Sequence, residues 1–154
     1  MKLNLLRNSN KVMSGHLNVD ILPGEGKVQG DIANLDSLVD DASCTDIVAR
    51  NVLEYVSHQE LLPVLNHWIS KLRHGGKLTI VTTDLRSIAK AVVKDALQPS
   101  DYLNLIYGEQ RNAFDVKRCI LTLSTLSALL ESAGLKITNK ALDSFEFCIT
   151  AERS

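Results

Sequence analysis

Three acidic residues lie at or just beyond the ends of predicted strands, where a sheet can present them to a ligand. Asp20 is the second-last residue of the run Leu17–Ile21, Asp84 comes two residues after the β-branched run Lys77–Thr82, and Asp31 comes two residues after a short extended stub. Open α/β sheets bind ligands in the crevice outside the carboxyl ends of their strands. A carboxylate only accepts hydrogen bonds, so it suits a ligand that presents hydroxyl or amine groups. The three carboxylates are therefore candidates to accept hydrogen bonds from such a ligand.

Two of these residues also have a purely structural interpretation. Asp20 can be a solvated side chain that opens the turn Leu22-Pro23-Gly24, and Asp31 can be a helix cap or turn residue before Ile32. For Asp20 the residue alone favours the turn interpretation, and for Asp31 neither interpretation is favoured.

The sequence lacks the motifs of several common active sites. It has no His-Glu-x-x-His metal pattern, no Gly-x-Ser-x-Gly elbow and no phosphate loop with Gly-Lys-Ser/Thr. The three cysteines, Cys44, Cys119 and Cys148, are far apart, and no two have metal-ligand spacing. We therefore expect no metal site, and we expect reduced thiols.

The composition excludes several classes of protein. Seventeen Lys and Arg oppose eighteen Asp and Glu, which gives a formal charge of −1, whereas nucleic-acid-binding domains usually have a basic excess. The start of the chain has no secretory h-region, and no run approaches the ~18 apolar residues of a membrane span. The sequence thus predicts one cytoplasmic domain over residues 1–154, with no nucleic-acid or membrane partner.

The hydrophobic pattern alternates strands with helices, which is typical of a mainly parallel α/β sheet. The predicted helices are His58–Arg73, stopped by Gly75 and Gly76, then Leu85–Leu97, ended by Pro99, and Ser124–Ala133, stopped by Gly134. The predicted strands are Leu3–Leu6, Leu17–Ile21, Lys27–Gln29, Asp46–Ala49, Lys77–Thr82, Leu135–Lys140 and Phe145–Ala151, with a turn at Asp143-Ser144 between the last two.

The first connections are too short for crossover helices. Ten residues separate Leu6 from Leu17, and five separate Ile21 from Lys27, whereas a helical crossover needs about a dozen residues. We therefore expect the N-terminal helices to be reduced, and the direction of the third strand stays open.

Several segments in order resemble the small class I S-adenosylmethionine-dependent methyltransferases, in their compact bacterial and phage branch. They are Met1-Lys2-Leu3-Asn4-Leu5, Leu17-Asn18-Val19-Asp20, Gly30-Asp31-Ile32, Asn51-Val52-Leu53-Glu54, Leu72-Arg73-His74-Gly75-Gly76-Lys77-Leu78, Thr83-Asp84-Leu85 and Tyr102-Leu103-Asn104-Leu105-Ile106-Tyr107-Gly108-Glu109-Gln110. The resemblance implies a three-layer, Rossmann-like sheet of order 3-2-1-4-5-7-6 with the last strand antiparallel. The cofactor would lie across the first four strands.

The resemblance also implies a role for individual residues. Asp20 would accept from the ribose hydroxyls and Asp31 from the adenine amine, with Gly30 allowing close backbone approach. Asn51–Glu54 would form the wall beside the methionine moiety. The full set implied for cofactor binding is Asn4, Leu6, Arg7, Asn8, Asp20, Ile21, Gly30, Asp31, Ile32, Asn51 and Val52.

Candidates for the chemistry lie on the substrate side of that fold. They are Asp84, Tyr107 in the segment that would cover the site, and His58, which also fits a surface residue at a helix start. A general base is needed only if the acceptor loses a proton during methyl transfer. The acceptor would be a small or sugar-containing molecule, and a homodimer is left open.

Two positions depart from the family pattern. Leu6-Arg7-Asn8 replaces the Gly-x-Gly turn after the first strand, where a Cβ would clash with the cofactor. Asn8 can adopt a left-handed conformation, and Arg7 could pair with the methionine carboxylate or fill the site. The His that relatives carry near Lys117 is also missing, and Lys117 and Arg118 are typical of solvated loop charges. The function predicted from the sequence is an active methyltransferase, which the retained Asp20, Asp31 and Asp84 favour. The alternative is a silent binding module, which the replaced loop and the missing His favour.

Overall fold

Seven strands form one twisted sheet in the computed structural model, which describes residues 1–154. The strand order is β3-β2-β1-β4-β5-β7-β6, as predicted, and only β7 runs antiparallel to its neighbours. The strands are β1 (Lys2–Leu5), β2 (Leu17–Asp20), β3 (Val28–Gln29), β4 (Cys44–Arg50), β5 (Leu72–Thr83), β6 (Leu135–Asp143) and β7 (Glu146–Arg153).

The third strand, whose direction the sequence left open, is parallel to β2. Val19 pairs with Val28 and Asp20 with Gln29. No helix lies between β1 and β4, so the N-terminal half of the sheet is joined by loops alone. This matches the expectation drawn from the short connections.

Four helices follow β4. They are α1 (Leu61–Lys71), α2 (Leu85–Val93), α3 (Pro99–Tyr107) and α4 (Leu123–Ser132), with short 3₁₀ turns at Leu53–Tyr55 and His58–Glu60. None of them has the length and apolar character needed to cross a bilayer. Helix α1 packs against β5, and α4 packs against β6 and β7.

Two predicted helix ends are wrong. Pro99 does not end a long helix, because α2 already stops at Val93. Pro99 instead occupies the first turn of α3, where the missing N–H of proline costs nothing. Gly75 and Gly76 do not cap α1 either, because that helix ends at Lys71 and both glycines lie within β5. A Cβ on Gly76 would stand 2.8 Å from the carbonyl oxygen of Cys44, so a close strand contact explains that glycine.

The core lies between the sheet and its helices, and a core residue also holds the loop after β3 by a hydrogen bond. Trp68 of α1 is fully buried, and its Nε1 donates to the carbonyl of Ile32 at 2.9 Å. Leu3, Leu5 and Ile47 from the central strands are fully buried beside it in the same apolar cluster. The carboxyl ends of β1, β2 and β4 are thereby held at one edge.

Candidate functional site

The predicted cofactor residues gather at the carboxyl ends of β1, β2 and β4. Strands β2 and β3 are added on one side of β1 and strand β4 on the other, so the strand order reverses between β1 and β4. This is the switch point where open α/β sheets bind ligands. A ligand at this edge needs free volume and unoccupied hydrogen-bonding groups.

Asp20 is fully buried at the end of β2, and protein groups occupy its carboxylate. Oδ1 accepts from the backbone N–H of Asn8 at 2.9 Å and of Leu22 at 3.2 Å. Oδ2 accepts from the N–H of Ser9 at 3.1 Å and from Nζ of Lys27 at 2.9 Å. A carboxylate offers about four acceptor positions, so none is left for a ribose hydroxyl.

Lys27 seals this carboxylate from the outside. Only 4% of its side chain is exposed, and its Nζ also donates to the carbonyl of Ser9 at 3.2 Å. The stem of Lys27 passes over Gly24, where a Cβ would clash with the lysine Cε. Burial alone would raise the pKa of Asp20, but the hydrogen bonds from Lys27 and three backbone N–H groups outweigh it and lower the pKa.

The loop after β1 is built by this same carboxylate. Leu6 is buried and donates its N–H to the carbonyl of Val19 at 2.8 Å. Asn8 has a φ of +47°, which confirms the left-handed conformation expected for a residue in place of glycine. Because Asp20 accepts from Asn8 and Ser9, the loop folds toward β2 and is fixed there.

Arg7 projects from this loop across the edge of the sheet. Its guanidinium lies 5.6 Å from the ring centre of Tyr55 and 5.5 Å from that of Phe114, within cation–π range. Its Nε donates to the carbonyl of Phe114 at 3.2 Å. Arg7 therefore links the loop after β1 to the segment that follows α3.

The space left beneath Arg7 is small. A cavity of about 150 Å³ is bounded by Arg7, Asp31, Ile32 and Tyr55, among others. Pockets for cofactor-sized ligands usually measure about 300–1,000 Å³. Together with the occupied carboxylate of Asp20, this volume means that the residues present do not fit S-adenosylmethionine in this arrangement.

Asp31 and Gly30 are engaged with protein atoms. Asp31 is exposed, and its Oδ1 accepts from the N–H of Ala33 at 2.9 Å, which is the turn geometry weighed for it from the sequence. A Cβ on Gly30 would stand 2.7 Å from Leu38 and 3.1 Å from Val19, so the close approach there is made by protein side chains.

The remaining residues of the implied cofactor set also have internal roles. The amide of Asn4 donates to the side chain of Asn18 at 2.8 Å, and the amide of Asn51 donates to Glu146 at 2.7 Å. The carbonyl of Ile21 accepts from Gln29 at 3.2 Å. Two further members lie in the apolar core: Ile32 and Val52.

The three catalytic candidates do not share one cavity. His58 and Tyr107 are exposed and line a cavity of about 300 Å³. Asp84 is buried and caps α2: it accepts from the N–H of Arg86 at 3.2 Å and from Oγ of Ser87 at 2.5 Å. It lines a different cavity, of about 340 Å³. No single acid–base site unites the three.

A buried ionic cluster that sequence reasoning missed lies at the ends of β4 and β5. Glu54 is fully buried; its Oε2 accepts from Oγ1 and the N–H of Thr83 and lies 3.5 Å from Nζ of Lys117. Lys117 also donates to the carbonyl of Leu105 at 3.1 Å. Its side chain is only 14% exposed, so the interpretation of Lys117 as a solvated loop charge was wrong. Oε1 of Glu54 is the one buried side-chain oxygen without a protein partner.

Tyr55 borders the same cluster. Its hydroxyl lies 3.5 Å from Oδ1 of Asp115, whose other oxygen accepts from Nε of Arg111 at 2.8 Å. Burial, with the negative charges of Glu54 and Asp115, raises the pKa of Tyr55 to about 12. Tyr55 therefore stays protonated near neutral pH and does not serve as a base there.

Comparison with known proteins gives a match in structure only. No family model matches the sequence, and neither does any curated protein. A 1,6-didemethyltoxoflavin-N1-methyltransferase of Burkholderia thailandensis, solved with 1,6-didemethyltoxoflavin and S-adenosylhomocysteine, superposes with a TM-score of 0.64 at 12% identity, over 99% of this chain and 72% of that one.

Two further neighbours show the same likeness. A SAM-dependent methyltransferase of Archaeoglobus fulgidus gives a TM-score of 0.60 at 14% identity, over 90% of this chain and 76% of that one. An O-methyltransferase family protein of Burkholderia thailandensis gives 0.58 at 15% identity, over 83% of this chain but 35% of that one, so this chain spans about a third of that neighbour's length. The chain has the fold of the class I S-adenosylmethionine-dependent methyltransferases.

Proposed function

We propose that this chain is a methyltransferase-fold binding module in which the chain's own side chains close the cofactor edge, meaning the carboxyl ends of β1, β2 and β4. The observation that carries the proposal is Asp20, whose acceptor positions are taken by Lys27 and three backbone N–H groups. The side chain that would hold a ribose is thus committed to holding the loop after β1.

The cost of reopening this edge sets the expected affinity. Removing one partner from a buried ion pair costs about 3–5 kcal/mol. A cofactor that displaced Lys27 would bear at most a cost of about that size, because its ribose hydroxyls would replace part of the lost hydrogen bonding to Asp20. Every 1.4 kcal/mol is a tenfold loss of affinity, so binding would be weakened by up to about a thousandfold.

A second function is an S-adenosylmethionine-dependent methyltransferase that acts on a small or sugar-containing acceptor. Two observations favour it: the chain keeps a carboxylate at the end of β2, and Asn8 already has the left-handed backbone of the lost glycine. In this function the cofactor displaces Lys27, and Arg7 pairs with the methionine carboxylate. Native protein would then bind the cofactor, and Arg7→Ala would weaken that binding.

A gain-of-binding experiment tests the closed edge. The triple variant Leu6→Gly, Asn8→Gly, Lys27→Ala removes the two side chains of the loop and the cation that occupies Asp20. We expect it to bind S-adenosylhomocysteine at least about tenfold more tightly than native protein in equilibrium dialysis, because each change frees space or an acceptor position.

The matched control is the variant Leu6→Gly, Asn8→Gly, Lys11→Ala, which keeps Lys27. Lys11 is an exposed lysine near the same loop, so this change alters the net charge equally while Asp20 stays occupied. The control should bind less tightly than the triple variant. Equal, micromolar binding by native protein and the triple variant would contradict the closed edge and favour the active enzyme.

A further inference from the structure

A second cavity lies at the carboxyl ends of β5 and β6, away from Asp20. Its volume is about 340 Å³, which lies within the usual range for small-molecule sites. Seven of its nine lining residues are polar or charged, and they come from the start of α2, the start of α4 and the end of β6: Asp84, Arg86, Ser87, Lys90, Thr122, Leu123, Ser124, Lys140 and Leu142.

Three cations face this cavity, and none of them forms an ion pair. Arg86, Lys90 and Lys140 are exposed, and the six ion pairs of the protein involve only Lys27, Lys71, Arg111 and Lys117 as cations. A net charge of −1 for the whole chain makes this local concentration of positive charge notable.

The one acidic residue in the cavity does not neutralise these cations. Asp84 is 2% exposed, and its oxygens accept from the N–H of Arg86 and the hydroxyl of Ser87. Three cations against one carboxylate leave a net charge of +2. Both α2 and α4 also begin here, so their partial positive ends add to the same potential.

We propose that this cavity binds the phosphate group of a small phosphorylated molecule. A phosphate monoester carries a charge of about −1.5 to −2 and three acceptor oxygens, which matches three cations and a net +2 better than a single carboxylate does. Arg86 supplies a planar fork that can donate two parallel hydrogen bonds to phosphate, and the lysines supply point charges.

This site does not depend on the state of the cofactor edge. None of its lining residues takes part in the contacts of Asp20, Lys27 or Arg7. Failure of the closed-edge proposal would therefore leave the phosphate site standing, and the reverse also holds.

The test uses inorganic phosphate as the probe, followed by NMR of the ¹⁵N-labelled protein at constant ionic strength, with chloride as the balancing anion. We expect saturable shifts of backbone amides at 84–90 and 122–124, with a dissociation constant in the millimolar range, about −4 kcal/mol. Ribose 5-phosphate should shift the same amides, and ribose should not.

Variants then separate this site from general charge attraction. Arg86→Gln and Lys90→Gln should each weaken phosphate binding about tenfold, since a charge-assisted hydrogen bond is lost. Lys94→Gln removes an equal charge from an exposed lysine just beyond α2 and should leave affinity within about twofold. Shifts that do not saturate, or an equal loss in Lys94→Gln, would overturn the proposal.

Discussion

Asp20→Ala should lower the free energy of unfolding by about 3–5 kcal/mol, the usual effect of removing one partner of a buried ion pair. The carboxylate is fully buried, Lys27 is 4% exposed, and three backbone N–H groups lose their acceptor with it. Urea denaturation at neutral pH measures the change. A role in ligand binding alone would leave the unliganded protein nearly as stable as before.

Two controls sharpen this result. Asp31→Ala removes an exposed carboxylate with one backbone hydrogen bond and should cost about 1 kcal/mol or less. The double variant Asp20→Ala, Lys27→Ala should recover part of the loss, because no buried ammonium is left unpaired. A loss below about 1 kcal/mol for Asp20→Ala would mean that its carboxylate does not hold the loop.

The lowered pKa of Asp20 fixes the direction in which pH changes its contribution to the free energy of unfolding. The folded-state pKa of Asp20 lies below its ordinary value of 3.8, so its contribution is fully present above that value and is lost as pH falls through the lower folded pKa. The difference in stability between native protein and Asp20→Asn should therefore shrink in acid below about pH 4, not between pH 5 and 8.

Lys117→Met should lower the free energy of unfolding by about 2–3 kcal/mol. The change leaves Glu54 fully buried beside Thr83 without its cation, while Oε1 already lacks a partner. Denaturant unfolding of Glu54→Gln, of Lys117→Met and of the double variant that carries both changes completes a double-mutant cycle. We expect a coupling energy above about 1 kcal/mol between the two residues.

The control for this cycle is Lys136→Met. Lys136 is an exposed strand lysine that forms no ion pair, so its replacement should change stability by no more than about 0.5 kcal/mol. Additive effects of Glu54→Gln and Lys117→Met would contradict a stabilising contact between the two residues.

The fold was predictable because its signals are local or ordered along the chain. Apolar and β-branched runs located most of the strands, and the flanking glycines located the stub that became β3. The order of short segments such as Gly30-Asp31-Ile32 led to the strand order. Helix ends were less predictable, since proline is common both just after a helix and in its first turn. At Pro99 only the position of α3 decides between the two.

The sequence predicted where the candidate site lies, but not that protein side chains occupy it. A carboxylate at the end of β2 is visible in the sequence, and so is the replaced glycine loop. That Lys27 folds back onto Asp20 depends on the turn at Gly24, and that Lys117 reaches Glu54 depends on the path of the chain after α3. Both contacts join loop residues to strand ends, and no periodicity in the sequence reports them.

A calorimetric titration of the native protein with S-adenosylmethionine tests whether the carboxyl ends of β1, β2 and β4 are closed to the cofactor. With Asp20 occupied and a cavity of about 150 Å³ beneath Arg7, we predict no saturable heat up to about 1 mM ligand. S-adenosylhomocysteine should behave in the same way. Saturable binding with a micromolar constant, about −8 kcal/mol, would contradict the closed edge and point to an active methyltransferase.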